Sequence, residues 1–306
     1  MEIPYASPLS RRLEPAQGLT RREYKIASRD GTEISLWRVS TYWADKSSML
    51  QPSIIYVHGG AFVMSNTDIG AIDLDAFNKK LISRLGKDPL DELGCVLLYV
   101  SYRVATACPF PGPPEDVCAA YSYALANAAD LGILKDKICM MGISAGGNLA
   151  WAGTHMALDE GLPGPCGLIA IYPMLDPQAT WAEHKEDALQ YKKDKLHDAW
   201  AVYRSKIQDC PKNVQKYADL LQLPADDLSR LPPMYMDVGT NDYFMEEVLQ
   251  AQEVLNQHNV KVIVVILDGM RHGFESQGKQ DPGYDDALKK ALQGRRSFIQ
   301  QIWGTV

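Results

Sequence analysis

A serine between two glycines is the feature that most constrains this chain. Residues 142–146 read Gly-Ile-Ser-Ala-Gly, after an apolar run at 137–141 and before a helical pattern that begins at Gly147. A serine at such a strand-to-helix turn must adopt a strained backbone, and the flanking glycines let strand and helix pack closely. Because G-x-S-x-G is short enough to arise by chance, an ordinary helix N-cap is the alternative.

The rest of the chain alternates strand and helix patterns around this turn. Residues 23–39 alternate in polarity and turn near Gly31, which predicts a β-hairpin. Apolar runs predict further strands at 53–57, 95–100, 137–141, 166–172, 234–238 and 261–267. Helical patterns follow the strand-to-helix turn at residues 142–146, which we call the elbow, and the loop at 109–116. They recur at 70–85, 245–258 and 284–302. This order predicts a mostly parallel α/β sheet with helices on both faces.

Residues 176–232 interrupt the alternation. They hold a charged helical run at 185–207 and a second helical stretch near 213–221, with no strand pattern. We expect an inserted helical cap over the carboxyl edge of the sheet. The chain is then a single domain, 1–306, with an N-terminal arm at 1–22 and a cap insertion at 176–232.

Composition limits the partners and the compartment. The 306 residues carry a net charge of -7, which argues against nucleic acid or an anionic membrane surface as a partner. No apolar run approaches the roughly 20 residues of a membrane span, and the first residues lack a signal-peptide pattern. The six cysteines are scattered, without C-x-x-C or metal-ligand spacing. We therefore expect reduced thiols, no metal and a cytoplasmic location.

Three side chains suited to nucleophilic catalysis follow strands in the order Ser144, Asp242, His272. A serine hydroxyl attacks only when a base removes its proton, and an acid must hold that base in the right tautomer. The carboxyl ends of parallel strands meet at one edge of a sheet, so we expect these three side chains to meet there.

Other acids and histidines compete for these roles. Asp237 lies inside its strand, and Asp268 lies on the same strand end as the histidine, which disfavours both against Asp242. His155 follows the elbow in a helical pattern and is expected to be a packed histidine.

The loop after the strand at 53–57 reads His-Gly-Gly-Ala, residues 58–61. We expect the backbone N–H groups of Gly59 and Gly60, together with that of Ala145, to bind a developing oxyanion. His58 is expected to make a structural hydrogen bond. A phosphate-binding loop is the competing interpretation, but neither G-x-x-x-x-G-K-[ST] nor G-x-G-x-x-G occurs.

Together these motifs resemble the hormone-sensitive-lipase-like esterases, also called the α/β-hydrolase fold-3 family. The resemblance spans roughly residues 23–302. It rests on His58-Gly-Gly-Ala, Tyr102-Arg-Val-Ala, Pro109-Phe-Pro, Glu115-Asp-Val, Gly142-Ile-Ser-Ala-Gly-Gly-Asn-Leu-Ala, Tyr172-Pro-Met-Leu-Asp, Gly239-Thr-Asn-Asp-Tyr-Phe-Met-Glu-Glu and His272-Gly-Phe.

The resemblance implies an α/β-hydrolase fold and a serine carboxylesterase without a cofactor. Ser144, Asp242 and His272 match the family's triad, with Gly59, Gly60 and Ala145 among its oxyanion donors. The expected reaction passes through an acyl-enzyme on small or medium acyl esters, with a deacylating step in specialised metabolism as one role.

Two positions depart from the family's pattern. Ile143 stands where the family has Asp, and Ala61 replaces a third glycine. An apolar Ile143 cannot make the hydrogen bonds of an Asp, so the departures bear on acyl-pocket shape and rate more than on the reaction class. A non-hydrolytic receptor or cyclase, or an amidase like the aryl formamidases, is the alternative function. Plant hormone receptors that resemble this family lack the catalytic histidine, whereas His272 is present here.

Two further expectations concern residues away from the triad. Aromatic residues of the cap, Trp200 and Tyr203 among them, are expected both to dock the cap and to set acyl chain-length preference from above Ser144. The strand at 261–267 is the last of the sheet. Because a long apolar edge strand needs a cover, we expect it to pair in a homodimer.

Overall fold

The computed structural model describes residues 19–41, 49–64, 94–178, 187–277 and 281–304. Within these ranges one sheet has eight strands in the order β1-β2-β4-β3-β5-β6-β7-β8. The strands are β1 Leu19–Ala27, β2 Glu33–Thr41, β3 Gln51–Val57, β4 Val96–Ser101, β5 Ile133–Ile143, β6 Gly167–Ile171, β7 Met234–Gly239 and β8 Val262–Leu267. β1 and β4 both pair antiparallel with β2, and all other neighbours are parallel. The predicted mostly parallel sheet is confirmed.

The helices follow the predicted alternation. They are α1 Gly112–Ala126, α2 Ala128–Leu131, α3 Ala145–Asp159, α4 Asp187–Tyr203, α5 Lys212–Gln215, α6 Ala225–Leu228, α7 Met245–Gln257, α8 Phe274–Gln277 and α9 Tyr284–Trp303. The helix predicted at 70–85 lies outside the described residues. No helix within the described ranges is long and apolar enough to span a bilayer.

Helices cover both faces of the sheet, as β6 shows. A Cβ placed on Gly167 would meet side chains of α9, whereas Ala170 faces Gly147 of α3. These two positions are three residues apart on a strand and so point to opposite faces. Strands β3, β6 and β7 are buried along their whole length, as expected for parallel strands covered on both sides.

The N-terminal hairpin begins at Leu19, four residues before the predicted start at Glu23. Gly31 takes a φ of +80° at its turn, a conformation that favours glycine. The guanidinium of Arg103 joins the turn to the main domain, because it binds Asp30 at 2.6 Å and the buried Asp116 at 2.7 Å.

The segment between β6 and β7 contains helices and turns but no strand within its described residues, 172–178 and 187–233. Its second helical stretch is divided at Asp219, whose φ of −141° and ψ of 83° lie outside the helical region. Lys216 binds both Asp159 of α3 and Asp227 of α6 at 2.7 Å. The pair with Asp159 joins the insertion to the far end of α3, and the pair with Asp227 lies within the insertion.

Candidate active site

Ser144 occupies the turn between β5 and α3. Its φ of 55° and ψ of −125° lie outside the usual regions for a residue with a side chain, which confirms the predicted strain. Its N–H donates to the carbonyl of Ile171 at 2.9 Å. A Cβ on Gly142 would lie 2.0 Å from the carbonyl oxygen of Gly146, so only glycine lets strand and helix approach this closely.

The three candidate triad residues lie together in the structure. His272 Nε2 lies 3.1 Å from Ser144 Oγ, and His272 Nδ1 lies 2.9 Å from Asp242 Oδ2. The second oxygen of Asp242 accepts the N–H of Phe244 at 2.9 Å, which fixes the carboxylate. Asp242 and Ser144 are buried, and the His272 side chain keeps 17% of its surface exposed.

Main-chain hydrogen bonds connect the loop that carries Asp242 to the loop that carries His272. β7 and β8 are parallel neighbours that end opposite each other, at Gly239 and Leu267. The N–H of Thr240 donates to Leu267, and that of Asn241 to Met270, both at 3.0 Å. The relative position of Asp242 and His272 therefore depends on main-chain contacts rather than on side-chain flexibility.

The alternative acids and the alternative histidine lie away from Ser144 or bind other residues. Asp237 is buried within β7, where both of its oxygens bind Arg295 at 2.6 and 2.7 Å. Asp268 is exposed and faces Thr240 at 3.4 Å. His155 is buried in α3, as expected for a packed histidine. Asp242 is the aspartate that meets His272.

Three aromatic rings surround the imidazole of His272. The ring centroid of Tyr243 lies 4.6 Å away at an interplanar angle of 33°. Tyr172 and Phe244 contact the imidazole edge-on at 4.7 and 5.0 Å. These rings restrict the imidazole to the plane that joins Asp242 and Ser144.

A buried polar network behind His272 has no counterpart in the sequence-based expectations. Arg295 binds Glu275 at 2.8 Å in addition to Asp237, and the other oxygen of Glu275 accepts the Tyr172 hydroxyl at 2.8 Å. The sequence offers one hint of this network, because Glu275 lies only three residues after His272. Arg295 lies in a charged amphipathic helix, where nothing distinguishes it from solvent-facing arginines.

The candidate oxyanion donors lie beside the serine. A Cβ on Gly59 would be 3.2 Å from the Ser144 Cβ, so the loop after β3 passes directly over the elbow. The N–H groups of Gly59, Gly60 and Ala145 have no acceptor among the residues that the structure describes. As the first residue of α3, Ala145 has no intrahelical acceptor for its N–H. The three groups are thus available to a bound oxygen.

His58 has the expected structural role. Its Nδ1–H donates to the carbonyl of Gly59 at 2.7 Å, and its ring stacks on Tyr102 with centroids 4.2 Å apart. Burial lowers the pKa of His58 to about 4, so the ring stays neutral at physiological pH.

The departure at Ile143 leaves an apolar side chain beneath the elbow. Ile143 is buried, and so is the Asn148 side chain, whose amide atoms find no partner among the described residues. The side-chain polar network expected around an Asp at this position is therefore absent from the described part of the site.

Metal binding has no support in the described residues, where no group of three or more His, Cys, Asp or Glu side chains converges. All six cysteines are free thiols.

A family model described as alpha/beta hydrolase fold matches residues 54–276, which include every candidate site residue. The chain belongs to the α/β-hydrolase fold-3 family. An esterase of Gibberella moniliformis is 25% identical over 269 residues, covering 86% of this chain and 78% of that protein. Bovine hormone-sensitive lipase is 33% identical over 127 residues, but these cover 42% of this chain and only 15% of the lipase.

Among solved structures, a bacterial heroin esterase superposes with a TM-score of 0.74 at 25% identity, covering 92% of this chain and 85% of its own. These similarities confirm the resemblance to hormone-sensitive-lipase-like esterases and support a carboxylic ester hydrolase as the class of enzyme.

Proposed function

We propose that this α/β-hydrolase fold-3 protein is a serine carboxylesterase with Ser144 as nucleophile, His272 as general base and Asp242 as its orienting acid. The observation that carries the proposal is the unbroken hydrogen-bond chain from Ser144 through both nitrogens of His272 to Asp242. Its order and distances are those that proton removal from a serine requires.

In the acylation step, Ser144 Oγ attacks the ester carbonyl carbon while its proton passes to His272 Nε2. The carbonyl π electrons move to oxygen, and the N–H groups of Gly59, Gly60 and Ala145 stabilise the resulting oxyanion. When the tetrahedral intermediate collapses, His272 donates the proton to the leaving alcohol oxygen. An acyl ester on Ser144 remains.

Deacylation repeats these roles with water. His272 removes a proton from the water, whose oxygen attacks the acyl carbon, and then returns a proton to Ser144 Oγ as the carboxylic acid leaves. Asp242 keeps the proton on Nδ1 and stabilises the imidazolium without itself becoming protonated. No residue in the cycle requires a cofactor.

We take small or medium acyl esters as the substrate class. The similarity to esterases, that of Gibberella moniliformis among them, supports an ester substrate, and the 8% exposure of Ser144 places the reacting carbonyl below the protein surface. We also propose that the chain forms a single domain in which residues 176–232 are the cap insertion. We place a deacylating role in specialised metabolism among the uses of this activity.

A panel of p-nitrophenyl esters of increasing chain length tests the proposal. Wild-type protein is expected to turn over the shorter esters, and a fluorophosphonate to label Ser144 alone. Ser144→Ala should lower kcat by at least ~10³-fold. Asp242→Asn should also lower kcat strongly, because an amide at this position favours the wrong tautomer of His272. Activity should fall on acidification as His272 gains a proton.

Ser229→Ala provides a matched control, because this exposed serine in the cap bonds only to a nearby carbonyl and should retain full activity. Undiminished hydrolysis by Ser144→Ala would refute the mechanism. Turnover of aryl amides alone would favour an amidase. Tight binding of a small molecule without any turnover would favour the receptor alternative.

A further inference from the structure

The backbone after β3 has a positive φ at three consecutive residues, two of which carry a side chain. Gly60, Ala61 and Phe62 take φ values of 128°, 49° and 63°. A residue with a side chain pays roughly 1–2 kcal/mol to enter the left-handed region, so Ala61 and Phe62 need contacts from elsewhere to stay there. We call residues 58–64 the oxyanion loop, because it carries two of the three proposed oxyanion donors.

The side chain of Phe62 provides these contacts. It is fully buried, and its ring stacks on Tyr203 with centroids 4.1 Å apart and an interplanar angle of 15°. Trp200 contacts the same ring at 4.8 Å. The carbonyl of Phe62 also accepts the N–H of Ala105 at 2.8 Å. The rings of Trp200 and Tyr203 at the end of α4 therefore pack against Phe62, the only large side chain among residues 60–62.

The end of α4 is itself fixed to the main domain. The carbonyl of Tyr203 accepts the N–H of Phe110 at 2.8 Å, and the two rings meet edge-on at 5.6 Å. The Tyr203 hydroxyl and the Trp200 indole nitrogen are buried without a partner among the described residues. These two side chains thus act through their ring faces rather than through polar groups.

We propose that Tyr203 and Trp200 are positioning residues that hold the oxyanion loop through Phe62, so that the cap sets the rate of the chemical step. This inference rests on the proposed esterase function. It revises the expectation that the two side chains set acyl chain-length preference, since both are packed against protein rings.

The expected kinetic signature follows from what the loop does. An oxyanion donor works only when it lies about 2.7–3.1 Å from the developing charge, and a displacement of about 1 Å costs up to ~10²-fold in rate. These donors bind the neutral carbonyl oxygen of the ground-state ester more weakly than they bind the oxyanion. Loosening Phe62 should therefore lower kcat for every ester and leave KM nearly unchanged.

The decisive comparison is between Tyr203→Leu, which removes the stacked ring, and Tyr203→Phe, which keeps it. Tyr203→Leu should lower kcat by ~10- to 100-fold with KM within about threefold, equally across the p-nitrophenyl series. Inhibition by a trifluoromethyl ketone, which mimics the oxyanion, should weaken by the same factor as kcat/KM. Tyr203→Phe should behave as wild type, because the lost hydroxyl has no partner in the described part of the chain.

Tyr217→Leu separates this effect from a general loss of stability. Tyr217 is another buried tyrosine of the cap, but its hydroxyl binds Asp159 at the far end of α3, about 20 Å along the helix from the elbow. This variant should unfold at a lower temperature and keep its kcat. Trp200→Phe is a milder second change that should lower kcat by a few fold if Tyr203→Leu does not fold.

The inference is overturned if folded Tyr203→Leu or Trp200→Phe keeps wild-type kcat, or if chain-length preference changes in place of kcat. It is also overturned if Tyr203→Phe loses as much activity as Tyr203→Leu. Failure of the proposed function is distinguishable, because it would appear in the wild type as absent turnover and absent labelling of Ser144.

Discussion

Mild acid should destabilise this protein through a buried histidine far from its chemistry. His155 is 1% exposed in α3, and neither ring nitrogen has a partner among the described residues. Burial lowers its pKa to about 4; Asp227 and Asp159 oppose the shift, and Arg230 and Lys216 reinforce it. Between about pH 4 and pH 6.5, the imidazole is therefore neutral in the folded protein and protonated in the unfolded chain.

The sign and size of the effect follow from proton linkage. The folded pKa lies below the ordinary value of 6.5, so the stabilisation is complete above pH 6.5 and is lost as the pH falls toward about 4. At pH 5 the unfolded chain is largely protonated at this position and the folded chain is not. The free energy of unfolding should then be lower by about 2 kcal/mol from this residue alone.

Urea denaturation at pH 7 and pH 5 measures the effect in wild type and in His155→Met. The variant should be no less stable at pH 7, because the ring makes no hydrogen bond to lose among the described residues. Between the two pH values it should lose about 2 kcal/mol less than wild type. His58, whose pKa is also lowered by burial, contributes equally to both proteins and cancels.

His258→Gln is the matched control, since this histidine lies partly exposed at the end of α7 and its replacement should keep the wild-type pH dependence. If wild type and His155→Met lost the same free energy of unfolding between pH 7 and pH 5, the reasoning would be refuted. The acid sensitivity would then come from groups other than His155.

Two further predictions concern the core and the edge of the sheet. Arg295→Met should lower the free energy of unfolding by about 3–5 kcal/mol in urea, because it leaves two buried carboxylates, Asp237 and Glu275, without their cation; a loss below 1 kcal/mol would contradict this. Light scattering at micromolar concentration should show a homodimer through β8, whose Ile263 is 45% exposed, and Ile263→Lys should shift it toward monomer. A wild type that scatters only as a 34.0 kDa species would rule the dimer out.

The elements were predictable because their signals are local. A buried parallel strand is a short continuous apolar run, so the ends of β3, β5 and β7 could be located to within four residues. The strained serine needs glycines at fixed spacing around it, and Gly142 and Gly146 show that need in the sequence itself. The order Ser144, Asp242, His272 is likewise visible along the chain.

The relations between elements were not predictable from these signals. Nothing in the apolar runs states that β4 lies between β2 and β3, because strand order depends on which long-range pairings bury the most surface. The sequence favours Asp242 over Asp237 because Asp237 lies inside its strand, but it does not show what pairs with Asp237. Only the structure shows that Arg295, 58 residues away in the chain, binds Asp237 in the core.

The sequence alone thus predicted the candidate nucleophile, the order of its candidate partners and the elements that carry them, because backbone strain and periodicity act over a few residues. Only the tertiary structure showed that Phe62 is held by Tyr203, since that contact joins a loop and an inserted helix about 140 residues apart. Contacts of this kind depend on how whole elements pack, and packing leaves no local pattern in the chain.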